Sequence, residues 1–258
     1  MKRVQLVVPM AGLGMRFVEA NYKTLKPLIP IHGVPMIRLV IDNLMSDQIG
    51  HVVVVAQRET VETVDLRAIL SDLQIPVTIV AVDKLTEGPA DTVLQARQVL
   101  NDNLPLVIAN SDQYVDANLE KYYGELMAEG DLGTILTMED DNPKWSYVEL
   151  NGKGLVINVK EKVVISNQAT VGVYGYSKAQ LAWNAFSEMW QANDRTNGEF
   201  YVAPAYNYLI KAGVSVTTTN LGPVRTVMYG LGTPEDLESF IELPISKKAA
   251  SKASIYKN

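Results

Sequence analysis

The sequence predicts an α/β protein: a mostly parallel mixed sheet with helices on both faces, followed by a smaller α+β part. Three observations carry that reading. Over the first 110 residues, short apolar runs alternate with stretches of helical periodicity in a β-α-β-α-β-α-β order. A glycine-bearing loop follows the first apolar run, and an acidic loop follows the fourth. Both loops fall at the carboxyl ends of the expected strands, where sheets of this kind hold their ligands.

Each element has a local signal. Residues 4–8 are apolar apart from Gln5, as a buried parallel strand requires. Residues 36–45 place Ile37, Val40, Ile41 and Leu44 on one helical face. Four consecutive valines at 52–55 make the next strand. An amphipathic helix at 60–73, a strand at 77–82, a helix at 90–100 and a strand at 106–109 complete the first half. In the second half, residues 132–138, 147–150, 155–159 and 170–176 read as β-runs, with Asn151-Gly152 as a turn signal. Helices at 178–191 and 203–212, strands at 214–219 and 226–228, and a helix at 234–242 follow. Asp116 reads as the cap of a helix beginning near Ala117. The stretch from Ser246 to Asn258, with four lysines among small residues, reads as a polar, frayed tail.

Composition narrows the chemistry. The 258 residues, 47% hydrophobic, suit one large domain or two tightly joined subdomains. A net charge of −6 without a basic stripe argues against a nucleic-acid polymer as partner. With no cysteine, a disulfide framework and thiolate chemistry are excluded, and two histidines, His32 and His51, cannot build a multi-histidine metal site. Any metal must be held by oxygen ligands, which points to Mg²⁺. No apolar run approaches the ~18 residues needed to span a bilayer. The apolar stretch after Met1-Lys2-Arg3 is too short for a signal peptide. A cytoplasmic protein without a membrane partner is expected, and a homo-oligomer is left open.

The first loop runs Gly12-Leu13-Gly14-Met15-Arg16-Phe17, with Lys26-Pro27-Leu28 beyond it. Glycines let backbone N–H groups approach a polyphosphate, while Arg16 and Lys26 supply positive charge. Phe17 stands where a dinucleotide fingerprint needs its third glycine, and no Gly-Lys-Ser/Thr triplet follows, so two familiar phosphate loops are excluded. A ligand-free strand-to-helix turn remains the bland alternative.

These residues resemble the signature loop of the sugar-phosphate nucleotidyltransferases, also called nucleotide-sugar pyrophosphorylases. The resemblance extends over about residues 4–240 and is specific for the family rather than for a substrate. It implies a Rossmann-like, GT-A-like nucleotidyltransferase domain over 1–245, with a nucleotide-binding half over about 1–130 and an acceptor-binding half over about 131–245. Residues 246–258 are left as the tail. It implies catalytic roles for Arg16 and Lys26. It implies nucleotide contacts from Met10, Ala11, Gly12, Gly14, Gly88, Pro89 and Ser111, and a metal-holding role for Asp112. Asp83 is a further nucleotide candidate, because a carboxylate there could accept from an exocyclic amine.

On the acceptor side, Lys160-Glu161-Lys162 resembles the family's Glu-Lys motif, whose lysine meets the sugar-phosphate phosphate; that lysine is Lys162 here, followed by Val163 where relatives often carry proline. Gly172 lies in the glycine-containing strand after it, and Tyr147, an expected acceptor contact, closes the 142–147 segment, which stands where relatives bring a chain segment over the acceptor. Glu199, in Asn197-Gly198-Glu199-Phe200-Tyr201, resembles the acidic residue that holds sugar hydroxyls; the alternative is a helix start. Trp145 is read either as a stacking surface or as core. Near the end, relatives that hold Mg²⁺ with two carboxylates carry an Asp shortly before a Gly-Thr-Pro-like turn, and this chain has Gly230.

The expected activity is transfer of NMP from an NTP to a small phosphorylated acceptor, a sugar 1-phosphate first, with release of pyrophosphate. The chain resembles the shorter members associated with surface-polysaccharide pathways. Three alternatives stay open: a cytidylyltransferase acting on a non-sugar phosphate, a nucleotide-sugar-dependent glycosyltransferase, and a non-catalytic regulatory paralogue.

Overall fold

The computed structural model describes residues 3–253. Thirteen strands appear among them: β1 (Val4–Pro9), β2 (Pro30–Ile31), β3 (Val34–Pro35), β4 (Ile49–Gln57), β5 (Val77–Val82), β6 (Leu106–Ala109), β7 (Gln113–Val115), β8 (Leu132–Glu139), β9 (Ser146–Leu150), β10 (Val156–Glu161), β11 (Gln168–Tyr176), β12 (Ser215–Pro223) and β13 (Met228–Gly230). The helices are α1 (Met15–Glu19), α2 (Met36–Leu44), α3 (Arg58–Thr63), α4 (Leu66–Ile69), α5 (Pro89–Leu94), α6 (Glu120–Met127), α7 (Ala179–Gln191), α8 (Tyr206–Lys211), α9 (Pro234–Glu242) and α10 (Pro244–Ala253).

One sheet of nine strands organises the molecule, in the order β10-β9-β11-β6-β1-β4-β5, with β8 joined to β11 and β12 to β8. β6, β1, β4 and β5 are parallel, as the alternating pattern requires. β11 then runs antiparallel to β6, so the two halves share one sheet. Two cores lie on its two faces, and each draws on both halves of the chain. One face gathers Leu6, Val52 and Val54 with α2 and Phe240; the other gathers Val7, Val53 and Ile108 with Trp183, Phe186 and Tyr206. The alternation of Leu6 and Val7, or Val52 and Val53, is the strand period expressed on two covered faces. No helix among the described residues is long and apolar enough to cross a membrane.

Several elements differ from the sequence expectation. The helix expected at 60–73 breaks at Val64 into α3 and α4, and the Asp65 carboxylate caps the second by accepting from Ala68 N. β7 pairs with β13, and Asp116 N donates to Val227 O across that ribbon. α6 starts only at Glu120, so Asp116 caps nothing. The largest difference is α10. Its lysines are exposed, but Ser246, Ala249, Ala250 and Ala253 are buried on one face, and Ser246 Oγ bonds the His32 ring at 2.7 Å. Small residues at helical spacing let the helix pack closely, and composition alone concealed that period. Residues 254–258 of the expected tail lie outside the described residues.

Candidate active site

A cleft of about 650 Å³ opens where β1 and β6 end. Its floor is the loop after β1, residues 10–14, beside the loop after β6, residues 110–112. Crossover connections bring the two loops together, since β1 and β6 are parallel neighbours. The cleft is also lined by Leu85, Thr86, Gly88 and Pro89, and by residues from the segments 144–146, 161–162, 170–174 and 199–203, Val173 and Phe200 being buried in the core instead.

At the centre, Lys26 Nζ lies 2.6 Å from Asp112 Oδ2. These residues are 86 positions apart, and both are partly shielded, at 19% and 25% side-chain exposure. Lys26 opens a single 3₁₀ turn, with Pro27 behind it. A methyl group on Gly14 would stand 3.0 Å from the Lys26 Cβ, so the glycine loop and the lysine are packed against each other. Asp112 is set by its backbone, whose carbonyl accepts from Leu231 N at 2.8 Å. Arg16, in α1, is exposed along the cleft wall, and its charge is felt by Tyr201. Gly12 stands exposed with open space where a side chain would be, as a backbone ligand-binding surface requires.

Met10, Ala11, Gly88, Pro89 and Ser111, the expected nucleotide contacts, all line the cleft. Met10 N donates to Val55 O and Ala11 O accepts from Gln57 Nε2, which ties the loop to β4. Pro89 opens α5, as its sequence position suggests. Gly88 has φ 128°, and a Cβ there would sit 2.6 Å from Phe200 O. The close approach that demands glycine is thus to the Phe200 backbone, which also bonds Glu87 O and Ala90 N. Asp83 is different: it lies outside the cleft lining, exposed and ion-paired with Arg58. That pairing holds its carboxyl below the usual range and removes it as a base-reading group in this arrangement.

The opposite wall is built on the β9–β10 hairpin, which sets Glu161 opposite Ser146. Ser146 Oγ donates to the buried Glu161 carboxylate. Burial raises the Glu161 pKa, only partly opposed by Ser146 and by the neighbouring Lys162 charge. Lys162 has φ 56°, a left-handed conformation that strains a long side chain. Its N–H bonds Trp145 O at 3.0 Å, and its Nζ donates to the Tyr201 hydroxyl at 2.7 Å. Burial, helped by Glu199, pushes the Tyr201 phenol well up, so it stays a neutral partner. Glu199 is exposed on the cleft wall, and the 196–199 segment is a bridged turn, so the helix-start alternative is not realised. Gly172, at φ 83°, bulges β11 so that its carbonyl accepts from Asn110 N and Gln113 Nε2.

Tyr147 is a correction. It is fully buried, lies outside the cleft lining, and its hydroxyl donates to Asn142 O at 2.7 Å. Strand alternation turns residue 147 into the core when Ser146 faces the cleft, so Tyr147 supports the 142–146 loop from below. Trp145 lines the cleft edge and also packs on the core, its indole N–H bonded to Asp140 Oδ2 at 2.6 Å. Polar and charged cleft residues beyond those expected include Lys144, Glu161, Tyr174, Tyr201 and Asp236. Glu161 had a sequence signal in its place beside Lys162, and Tyr201 in closing the segment that carries Glu199.

A profile of the nucleotidyl transferase family matches residues 7–201, which span the glycine loop, Lys26, Asp112, Lys162 and Glu199. The chain is 28% identical over 233 residues to the bifunctional protein GlmU of Brevibacillus brevis, covering 84% of this chain and 46% of that protein. It is 25% identical over 224 residues to the GlmU of Paraburkholderia phytofirmans, with 84% and 47% covered. The chain thus spans about half the length of the curated relatives it matches. Among solved structures, the nucleoside-diphosphate-sugar pyrophosphorylase of Vibrio cholerae RC9 superposes with a TM-score of 0.74 at 21% identity, covering 92% of this chain and 100% of that one. The inositol-1-phosphate CTP transferase of T. maritima gives 0.77 at 15% identity, with 98% and 97% covered. At these identities the structures establish the shared fold, while the profile, matched over most of the chain, establishes that this protein belongs to the nucleotidyl transferase family.

Proposed function

We propose that this protein transfers NMP from an NTP to a sugar 1-phosphate, releasing pyrophosphate and forming a nucleotide sugar. One observation carries the reading: the glycine loop, Arg16, the Lys26–Asp112 pair and Lys162 converge on one cleft from four separated segments. An acceptor phosphate oxygen attacks the α-phosphorus in line. The bond from the α-phosphorus to the bridging oxygen breaks, and its electron pair leaves on pyrophosphate. The attacking phosphate is already anionic, so no general base is needed, and positioning and charge neutralisation carry the rate. In this scheme the 12–14 backbone and Arg16 hold the leaving phosphates, Lys26 steadies the α-phosphate, and Lys162 holds the acceptor phosphate. Glu161, Glu199 and Tyr201 offer partners for sugar hydroxyls. Such a product is the class of donor that glycan-building transferases consume.

The donor set fits a nucleotide-borne Mg²⁺. Among the described residues, no three His, Cys, Asp or Glu side chains gather as a self-sufficient metal cage. Mg²⁺ usually keeps several waters and takes one or two carboxylates plus phosphate oxygens, which Asp112 suits. Charge supports the same conclusion. Arg16, Lys26, Lys144 and Lys162 are matched in the cleft lining by Asp112, Glu161, Glu199 and Asp236, so a polyphosphate needs further positive charge. When bound, the ion supplies that neutralisation.

The test is acceptor-dependent pyrophosphate release from a panel of NTPs with hexose 1-phosphates, inositol phosphate and phosphocholine. One NTP paired with a sugar phosphate is the expected result. Lys26→Ala is expected to lower kcat by orders of magnitude with the fold intact. Release only with a non-sugar phosphate would reassign the acceptor, and full turnover by Lys26→Ala would overturn the catalytic role.

A further inference from the structure

Gly230 removes the carboxylate expected beside Asp112, but another carboxylate stands next to the vacated place. A Cβ built on Gly230 would lie 3.6 Å from Asp236 Oδ2 and 3.8 Å from its Cγ. A Cβ on Gly232 would lie 2.7 Å from Asp112 Oδ2. Both glycines line the cleft, while Leu231 between them is buried. The 230–232 backbone therefore lies against Asp236 at one residue and Asp112 at the other, and its missing side chains leave the space that the two carboxylates use.

Asp236 is held in place from two sides. It sits in the first turn of α9, where its N–H bonds the capping Thr233 Oγ1 at 3.1 Å. Lys144 Nζ reaches both of its carboxylate oxygens, at 2.9 and 3.1 Å. Lys144 comes from the loop before β9, with its ammonium 4.6 Å from the centre of the Trp145 ring, and Trp145 Cη2 would be 3.3 Å from a Gly230 Cβ. Asp112 is matched in the same way by Lys26. Each carboxylate thus faces the cleft with a lysine as counterion.

We propose that Asp236 is the second carboxylate of the divalent-cation site, taking the part that residue 230 cannot play, and that Lys26 and Lys144 are the counterions such a cation displaces. The inference rests on the nucleotidyl-transfer reading above. It places the second carboxylate on α9, beyond the region that the family profile matches. Asp236 would act directly or through the water that Mg²⁺ retains. Lys26 and Lys144, once released, are free to turn to phosphate oxygens, so cation loading and substrate binding reinforce each other.

The probe is Mn²⁺ alone, an oxygen-ligand stand-in for Mg²⁺, titrated into the whole protein and followed by the electron paramagnetic resonance of the free ion. Asp112→Asn and Asp236→Asn are each expected to weaken Mn²⁺ binding at least tenfold. Lys144→Met is expected to tighten it several-fold by removing a competitor, which a misfolded protein or a merely structural salt bridge would not do. Wild-type affinity in Asp236→Asn, unchanged affinity in Lys144→Met, or no measurable Mn²⁺ binding by the wild type would each overturn the proposal. Pyrophosphate release by the wild type separates the two readings. If it occurs while Asp236→Asn binds Mn²⁺ normally, only this inference fails; if it is absent with every NTP and acceptor, the nucleotidyl-transfer reading itself fails.

Discussion

Gly232→Ala is a single-methyl perturbation whose consequences divide cleanly between stability and catalysis. The added Cβ would stand 2.7 Å from Asp112 Oδ2 and 3.5 Å from its Cγ, with no other heavy atom within 4 Å. The carboxylate must therefore move, and it is the end of a side chain that can. What it leaves is the 2.6 Å contact with Lys26 Nζ. A charge-assisted hydrogen bond of this kind contributes about 1.5–3 kcal/mol when fully formed. Partial exposure and the new position of Asp112 recover part of that, so a net loss of about 1 kcal/mol is expected. For a domain of this size that lowers Tm by roughly 2–4 °C. Catalysis suffers more, because a misplacement of about 1 Å at a reacting centre costs on the order of 10²-fold. Differential scanning calorimetry and coupled pyrophosphate release, run on the same preparation, read both effects. Wild-type kcat together with wild-type Tm would refute the placement of Asp112 at the reacting phosphates. A collapse of the fold would show that the segment cannot yield as the geometry says.

Two further predictions concern the acceptor side. Burial raises the Glu161 pKa above its unfolded value, so the folded state favours the protonated form. That contribution is fully present below the ordinary glutamate range near pH ~4.3 and is lost as pH rises through the raised pKa. Glu161→Gln keeps the shape without the charge, and its Tm is expected to gain on the wild type progressively from pH 4 towards neutrality; a constant difference across that range would contradict the burial argument. Lys162→Gly relieves the left-handed strain at φ 56° but deletes the ammonium that meets Tyr201. Relief of strain of about 1 kcal/mol offsets the loss of contacts, so Tm is expected to stay within a few degrees while KM for the acceptor rises at least tenfold. An unchanged KM would remove Lys162 from the acceptor phosphate.

The relatives set the comparison at the level of the family, and the cleft adds what is particular to this chain. Two of its lysines are paired with carboxylates within the cleft. Lys26 holds Asp112 and Lys144 holds Asp236, while Arg195 holds Glu87 next to the lining residue Gly88. A site that is already neutral gains little from long-range attraction of an anionic substrate and depends instead on exchange of partners at short range. Steady-state kinetics are accordingly expected to depend more steeply on divalent-cation concentration than on ionic strength.

The parts that the sequence determined by itself are those governed by short-range physics. The strand and helix periods placed β1, β4, β5, β6 and α2, because side-chain direction repeats every two or 3.6 residues regardless of what lies opposite. The glycine loop, Pro89 and Asp112 were legible from backbone freedom, ring constraint and position at a strand end, Arg16 and Lys26 from their charge beside that loop and from the family resemblance, and each lines the cleft. Pairing over long separations was decided only by the tertiary structure. Tyr147 is a polar aromatic in a promising loop, yet the register of β9 turns it into the core. Asp83 is an exposed acceptor in sequence, yet Arg58 stands beside it at the end of the neighbouring strand. Ser246, Ala249, Ala250 and Ala253 look like a tail until α2 and α9 supply a surface to bury them. The Lys144–Asp236 contact spans 92 residues and exists only because the connection between β8 and β9 and the start of α9 reach the same edge of the cleft. Local rules fix which way a side chain leaves its own element, whereas sheet register and crossover connections decide what it meets there.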